Sequence, residues 1–144
     1  MGIVTNIVAA EEDEFAAIGE SLHPVEEWSG LERRDIDTAK IATLHCLLTG
    51  DELEQALYAY EPLYVGVEGA MVLRLADEVV DKLAALDEDA LEQVGAELAA
   101  TEEFEIEQWD ADEVQDMVLE LAELAQLAQS QEQILFVWIH PLLT

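Results

Sequence analysis

Apolar side chains recur along the chain at several different spacings, and each spacing selects an element. Residues 2–10, GIVTNIVAA, set β-branched residues among short polar ones and run directly into the acidic EEDEFAAIGE, predicting a strand followed by a short helix. Residues 71–75, MVLRL, predict another strand, and residues 63–67, LYVGV, a further extended piece. Near the C-terminus QILFVWI presents apolar side chains on both faces, which predicts a central strand covered by helices on each side.

Helical spacing accounts for most of the remainder. Ile41, Leu44, Leu47 and Leu48 predict a helix over 36–49, with Gly50 where a left-handed cap is wanted. Thr49 and Glu52 offer a capping box for a short helix carrying Leu53, Ala56 and Leu57, which Pro62 ends. Val79, Val80, Leu83 and Leu86 predict a helix over 77–86. After a cap at Asp87, Leu91, Val94 and Leu98 form a narrow stripe that Gly95 weakens by about 1 kcal/mol relative to alanine. Asp110 and Glu113 have capping-box spacing at the head of a long helix whose buried stripe is Val114, Met117, Val118, Leu121, Leu124 and Ala128. Residues 21–34, with Pro24 and Gly30, hold no period and predict a loop with one helical turn over 25–28.

Mixed strand and helix periods in 144 residues, with no repeat or flexible linker, point to one helix-rich α/β domain spanning 1–144. Charge then narrows the function. The chain carries 34 acidic and 5 basic residues, a net −29, and no lysine or arginine follows Lys82. Residues 102–113, EEFEIEQWDADE, place seven carboxylates in twelve positions. A body this negative repels nucleic acid and anionic membrane, so neither is an expected partner. With 51% hydrophobic residues the acidity belongs to a folded body and not to a disordered tail. A lone cysteine, no secretory leader and no long apolar run make the cytoplasm the expected compartment.

The segment DIDTAKIATLHCLLTG, then RLADEVVDKLAALDEDAL, FEIEQWDADEV and a closing apolar strand, resembles in order the YfbM-like family, a bacterial family of unknown function. Its sharpest local match is LHCLLTG, Leu44 to Gly50. Ile41 and Ala39 stand where the family pattern has a tryptophan and a lysine, and EIEQW replaces a tyrosine-proline pair, leaving Trp109 in register. The resemblance implies a three-layer sandwich around a small mixed sheet, and it implies no activity.

Several side chains invite chemistry. His45 and Cys46 suggest a nucleophile pair, yet neighbours on a helix point about 100° apart and do not face each other. Structural roles suit both better: Cys46 as core filler, His45 as a helix-end residue meeting a carbonyl or carboxylate. No EF-hand loop, His-x-x-x-His pair, glycine-rich phosphate loop or nucleophile elbow occurs, so no metal, cofactor or catalytic residue is expected. Trp138 belongs to the buried strand, while Trp28 and Trp109 flank acidic loops where an indole either covers the core edge or anchors a partner.

Three explanations compete for the charge: hydration in a salty cytosol, a docking surface for a basic protein, or a small enzyme. The lopsided distribution favours the second. Residues 1–50 hold 10 acids and 3 bases, residues 51–144 hold 24 and 2. The expected function is therefore a non-catalytic, immunity- or inhibitor-like protein docking a basic partner through Glu102, Glu103, Glu105, Glu107, Trp109 and Asp112. The alternative is a small enzyme or small-molecule-binding protein with a pocket built from Asp35, Asp37, His45 and Trp109.

Overall fold

The two-sided apolar run forms β5 (Ile134–His140), the middle strand of a five-stranded sheet ordered β2-β1-β5-β4-β3. Its companions are β1 (Val4–Ala10), β2 (Gly30–Arg34), β3 (Tyr64–Val65) and β4 (Met71–Arg74). The computed structural model describes residues 3–21, 23–66 and 69–141, so Val67 of the expected extended piece lies outside the described residues. All four strand pairings are antiparallel, which corrects the mixed sheet implied by the family resemblance. The reason is in the connections: the helices after β1 and after β4 return the chain to the end of the sheet that it left, so it re-enters beside its neighbour in the opposite direction.

Alternate residues of the strands enter two separate cores. Val4, Val8, Val72, Phe136 and Trp138 pack with Ile18 of α1 (Phe15–Glu20) and with Val25 of α2 (Pro24–Glu27), forming a thin layer. Ile7, Ala9, Leu73, Leu135, Val137 and Ile139 face the larger layer. That layer contains α3 (Thr38–Thr49), α4 (Leu53–Ala59), α5 (Asp77–Ala85), α6 (Glu88–Ala99), α7 (Glu102–Glu105) and α8 (Ala111–Ser130). The architecture is an α/β sandwich of three layers, one much thinner than the other. Among the described residues no helix is long and apolar enough to cross a membrane.

β2 stands where a loop is predicted. GLERR buries only Leu31, because an edge strand needs one apolar contact and leaves the rest to water, erasing the period-two signal. α3 closes as expected, with Gly50 at φ 83°, but it begins at Thr38 and not at Ile36, because the Asp37 carboxylate caps it by accepting from the Lys40 amide at 2.9 Å. The Thr49–Glu52 box does not form, since Thr49 lies inside the last turn of α3 and its hydroxyl donates to the His45 carbonyl instead. Leu53 and Leu57 are each 41% exposed, leaving Ala56 as the buried member of that short helix. Asp110 caps α8 by accepting from the Asp112 amide, a simple N-cap; the expected box with Glu113 does not form.

Gly95 does more than weaken α6. A Cβ built there would lie 2.6 Å from Gln115 Cα, so the missing side chain is what lets α6 and α8 pack backbone to backbone. Gln115 strengthens the contact by donating to the Glu92 carbonyl at 3.1 Å. Gly95→Ala is therefore expected to lower stability by about 1–3 kcal/mol through overpacking, although alanine is the better helix former by ~1 kcal/mol. Urea unfolding measures it, and an unchanged or higher midpoint contradicts the close-packing role.

Candidate functional site

The acidic stretch is organised around its one buried aromatic, Phe104. α7 ends in a Schellman arrangement: the Trp109 amide donates to the Phe104 carbonyl at 3.1 Å and the Gln108 amide to the Glu105 carbonyl at 3.0 Å, with Gln108 left-handed at φ 59°. The hydrophobic contact that accompanies this motif is present, Trp109 meeting Phe104 edge-on at 5.5 Å between ring centroids. Trp109 is thus half-buried against the core edge.

This turn delivers Glu107 to Lys40. The Lys40 ammonium, only 2% exposed, lies 2.5 Å from the Glu107 carboxylate, 3.9 Å from Asp37 and 5.8 Å from the Phe104 ring centroid. A desolvated ammonium needs a partner, and Glu107 is that partner. Of the residues expected to dock a partner, Glu107, itself 41% exposed, is therefore engaged by Lys40, and Trp109 is engaged in packing. Glu102, Glu105 and Asp112 are exposed, and Glu103 is half-buried.

Beside Glu107 opens a groove of about 510 Å³, bounded by Arg33, Arg34 and Asp35 on one wall and by Trp109, Glu113 and Asp116 on the other. Asp35 is left-handed at φ 62°, with its amide donating to the Ile3 carbonyl at 2.9 Å and its carboxylate accepting from the Ile3 amide at 3.2 Å. Arg33 crosses to Glu120 on α8 at 2.9 Å. Arg34 is exposed and makes no ion pair among the described residues. The groove thus presents mixed charge, with carboxylates predominating.

The expected pocket of Asp35, Asp37, His45 and Trp109 is not assembled. Asp35 and Trp109 line the groove, while Asp37 is spent capping α3. His45 lies eight residues further along that helix, about 12 Å by helical rise. Its ring is buried, with Nε2 2.8 Å from Asp51 and Nδ1 2.9 Å from the Tyr60 hydroxyl. The Tyr60 oxygen also accepts from the Ala76 amide at 3.4 Å. This pattern suits a neutral imidazole whose Nε2–H donates to Asp51 while Nδ1 accepts from Tyr60, a tautomer assigned from the network. The hydrogen bond from His45 holds the Asp51 carboxyl below its ordinary range, and burial pushes the Tyr60 phenol up to about 12. Burial, then the Asp51 carboxylate, push the Cys46 thiol up. The relay ends on a buried, reluctantly ionised phenol, so it ties α3, α4 and the start of α5 together and presents no nucleophile. No spacing rule reaches Tyr60; only the expectation that His45 meets a carboxylate was available from the chain.

The other two tryptophans are structural. The Trp28 indole donates to Glu14 at 3.1 Å, and Trp138 is fully buried. Among the described residues no group of three His, Cys, Asp or Glu side chains converges to hold a metal ion.

Fold and site together define an α/β sandwich with an acidic groove at one sheet edge. No protein-family model and no curated protein sequence matches the chain. It is similar to a solved structure described as a protein of unknown function, YfbM, from Escherichia coli, at 13% identity over 96% of this chain and 99% of that one, with a TM-score of 0.44. That structure's description assigns no activity.

Two measurements check the polar sites. Glu107→Gln strands the Lys40 charge, whereas Lys40→Met removes it and keeps the stem's packing. The first is expected to cost about 1–3 kcal/mol and the second less; the reverse order under urea unfolding contradicts a buried charge in need of its partner. For Tyr60 the folded-state value lies above the ordinary 10, so its contribution to stability is complete below pH 10 and is lost as pH rises from 10 towards about 12. The alkaline limb of the unfolding midpoint should therefore flatten in Tyr60→Phe, and an unchanged limb contradicts the assignment.

Proposed function

We propose that this chain is a non-catalytic binding protein, immunity- or inhibitor-like, that docks a basic protein partner on the acidic face made by α7 and the first turns of α8. The observation that carries the reading is Ile106, 73% exposed, standing among the exposed carboxylates of Glu102, Glu105, Asp110 and Asp112. An apolar side chain inside an acidic rim suits an interface in which burial supplies affinity and opposite fields speed encounter. A small-enzyme reading has less support, because the groove and the His45 relay are separate features.

Hydration of the surface is a second reading, favoured by one specific observation. Exposed carboxylates also occur on α1, α2, α4, α5 and α6, well away from Ile106. Affinity capture from a lysate of the source cells separates the two. The docking reading expects a basic protein retained at low salt, released at high salt and lost on Ile106→Ser with Glu105→Gln. Retention indifferent to salt and to the variant overturns it. Empty capture, with a thermal midpoint that climbs steeply as potassium chloride is added, moves the charge to the hydration reading.

A further inference from the structure

We infer that the outer edge of β2, lying along a carboxylate ridge of α8, receives an extended basic segment of the partner protein as a sixth strand. The inference rests on the basic-partner reading above and adds, beside the Ile106 face, a second contact with a stated conformation.

The register exposes the edge. β1 and β2 pair antiparallel with Thr5 opposite Arg33 and Ile7 opposite Leu31. Bonds from the Ala9 amide to Ser29 and from the Asp35 amide to Ile3 fix which residues face β1. Backbone groups of Gly30, Glu32 and Arg34 therefore point away from it. Of these only the Glu32 carbonyl has a partner among the described residues, the Arg33 guanidinium at 2.8 Å. An open edge of this kind is a template for strand addition.

The ridge supplies the complementary charge. Glu113, Asp116, Glu120 and Glu123 are exposed at helical spacing on the side of α8 that faces β2. Between edge and ridge run the groove already described and a second of about 460 Å³, walled by Ser29, Gly30 and Leu31 and floored by Leu124 and Leu127. Ten residues of α8 span about 15 Å. Three alternate residues of a strand span about 13 Å. Glu120 is already held by Arg33, so three cations at every second position of a segment match in number, and nearly in span, the three ridge carboxylates that have no ion pair among the described residues, Glu113, Asp116 and Glu123. Arg33 is an example within the fold: a cation carried on a strand and held by α8 through Glu120 at 2.9 Å. A second copy of the chain is a poor occupant, since two bodies of net charge −29 repel.

The probe is a seven-residue peptide alternating lysine with threonine, compared with versions N-methylated at alternate amides in each phase. Salt-sensitive binding by the unmodified peptide and by one N-methylated phase is expected, with at least a tenfold loss in the other phase. Amide hydrogen exchange at Gly30, Glu32 and Arg34 should slow on binding. Equal salt-sensitive binding of all three peptides with unchanged exchange overturns strand addition while leaving the basic-partner reading standing. No salt-sensitive binding by any peptide overturns strand addition, and the capture test with the Ile106 variant then decides the basic-partner reading separately. A dimer by sedimentation whose Gly30, Glu32 and Arg34 amides are protected without peptide overturns the inference in favour of self-pairing.

Discussion

A single ammonium group, Lys40 Nζ, fastens α3 to the loop that follows α7. The chain has only five cations, and three are placed where an acidic element must be held to something else. Lys40 joins α3 to Glu107, Arg33 joins β2 to Glu120 of α8, and Arg74 joins β4 to Asp77 and, at 3.6 Å, to Glu12. These pairs are not equal. Arg33 and Arg74 meet half-exposed or exposed carboxylates, where an ion pair contributes about 0–1 kcal/mol. Lys40 is buried, so its partner matters because the charge has no water to return to.

With so much like charge on the surface, cohesion must come from the interior. β5 makes that possible by lying between β1 and β4 with both faces covered, so one strand contributes to two cores. The larger core depends on α6 and α8 approaching closely, which Gly95 allows. Burial is indifferent to surface charge, which is why 34 carboxylates are compatible with an ordered sandwich.

Elements with a local cause were legible in the chain. β5 showed as an unbroken apolar run, α3 by its apolar spacing and Gly50, and α6 and α8 by Asp87 and Asp110. Features with distant causes were not. β2 looks like a loop because only Leu31 is apolar and inward. α7 is hidden in a run of acids with one buried residue, and its left-handed stop is Gln108 where a glycine is the usual signal. Gly95 reads as a flaw until Gln115 is placed beside it. Lys40 finds Glu107 67 residues away, and His45 finds Tyr60 across a turn, distances at which spacing carries no information.

The carboxylates sort by what already holds them. Asp37, Asp87 and Asp110 cap helices, Glu14 accepts from Trp28, Asp51 from His45, and Glu107 and Glu120 hold cations. Each has a reason within the fold, and neutralising it would disturb structure before function. Glu102, Glu105, Asp112, Glu113, Asp116 and Glu123 are different: exposed, and without a side-chain hydrogen bond or ion pair among the described residues. Their mutual repulsion opposes folding, and Asp112 and Glu113, in the first turn of α8, gain an offset from the helix N-terminus. A cation brought from outside relieves that repulsion, so the same charge that weakens the isolated chain strengthens its complex with a basic partner.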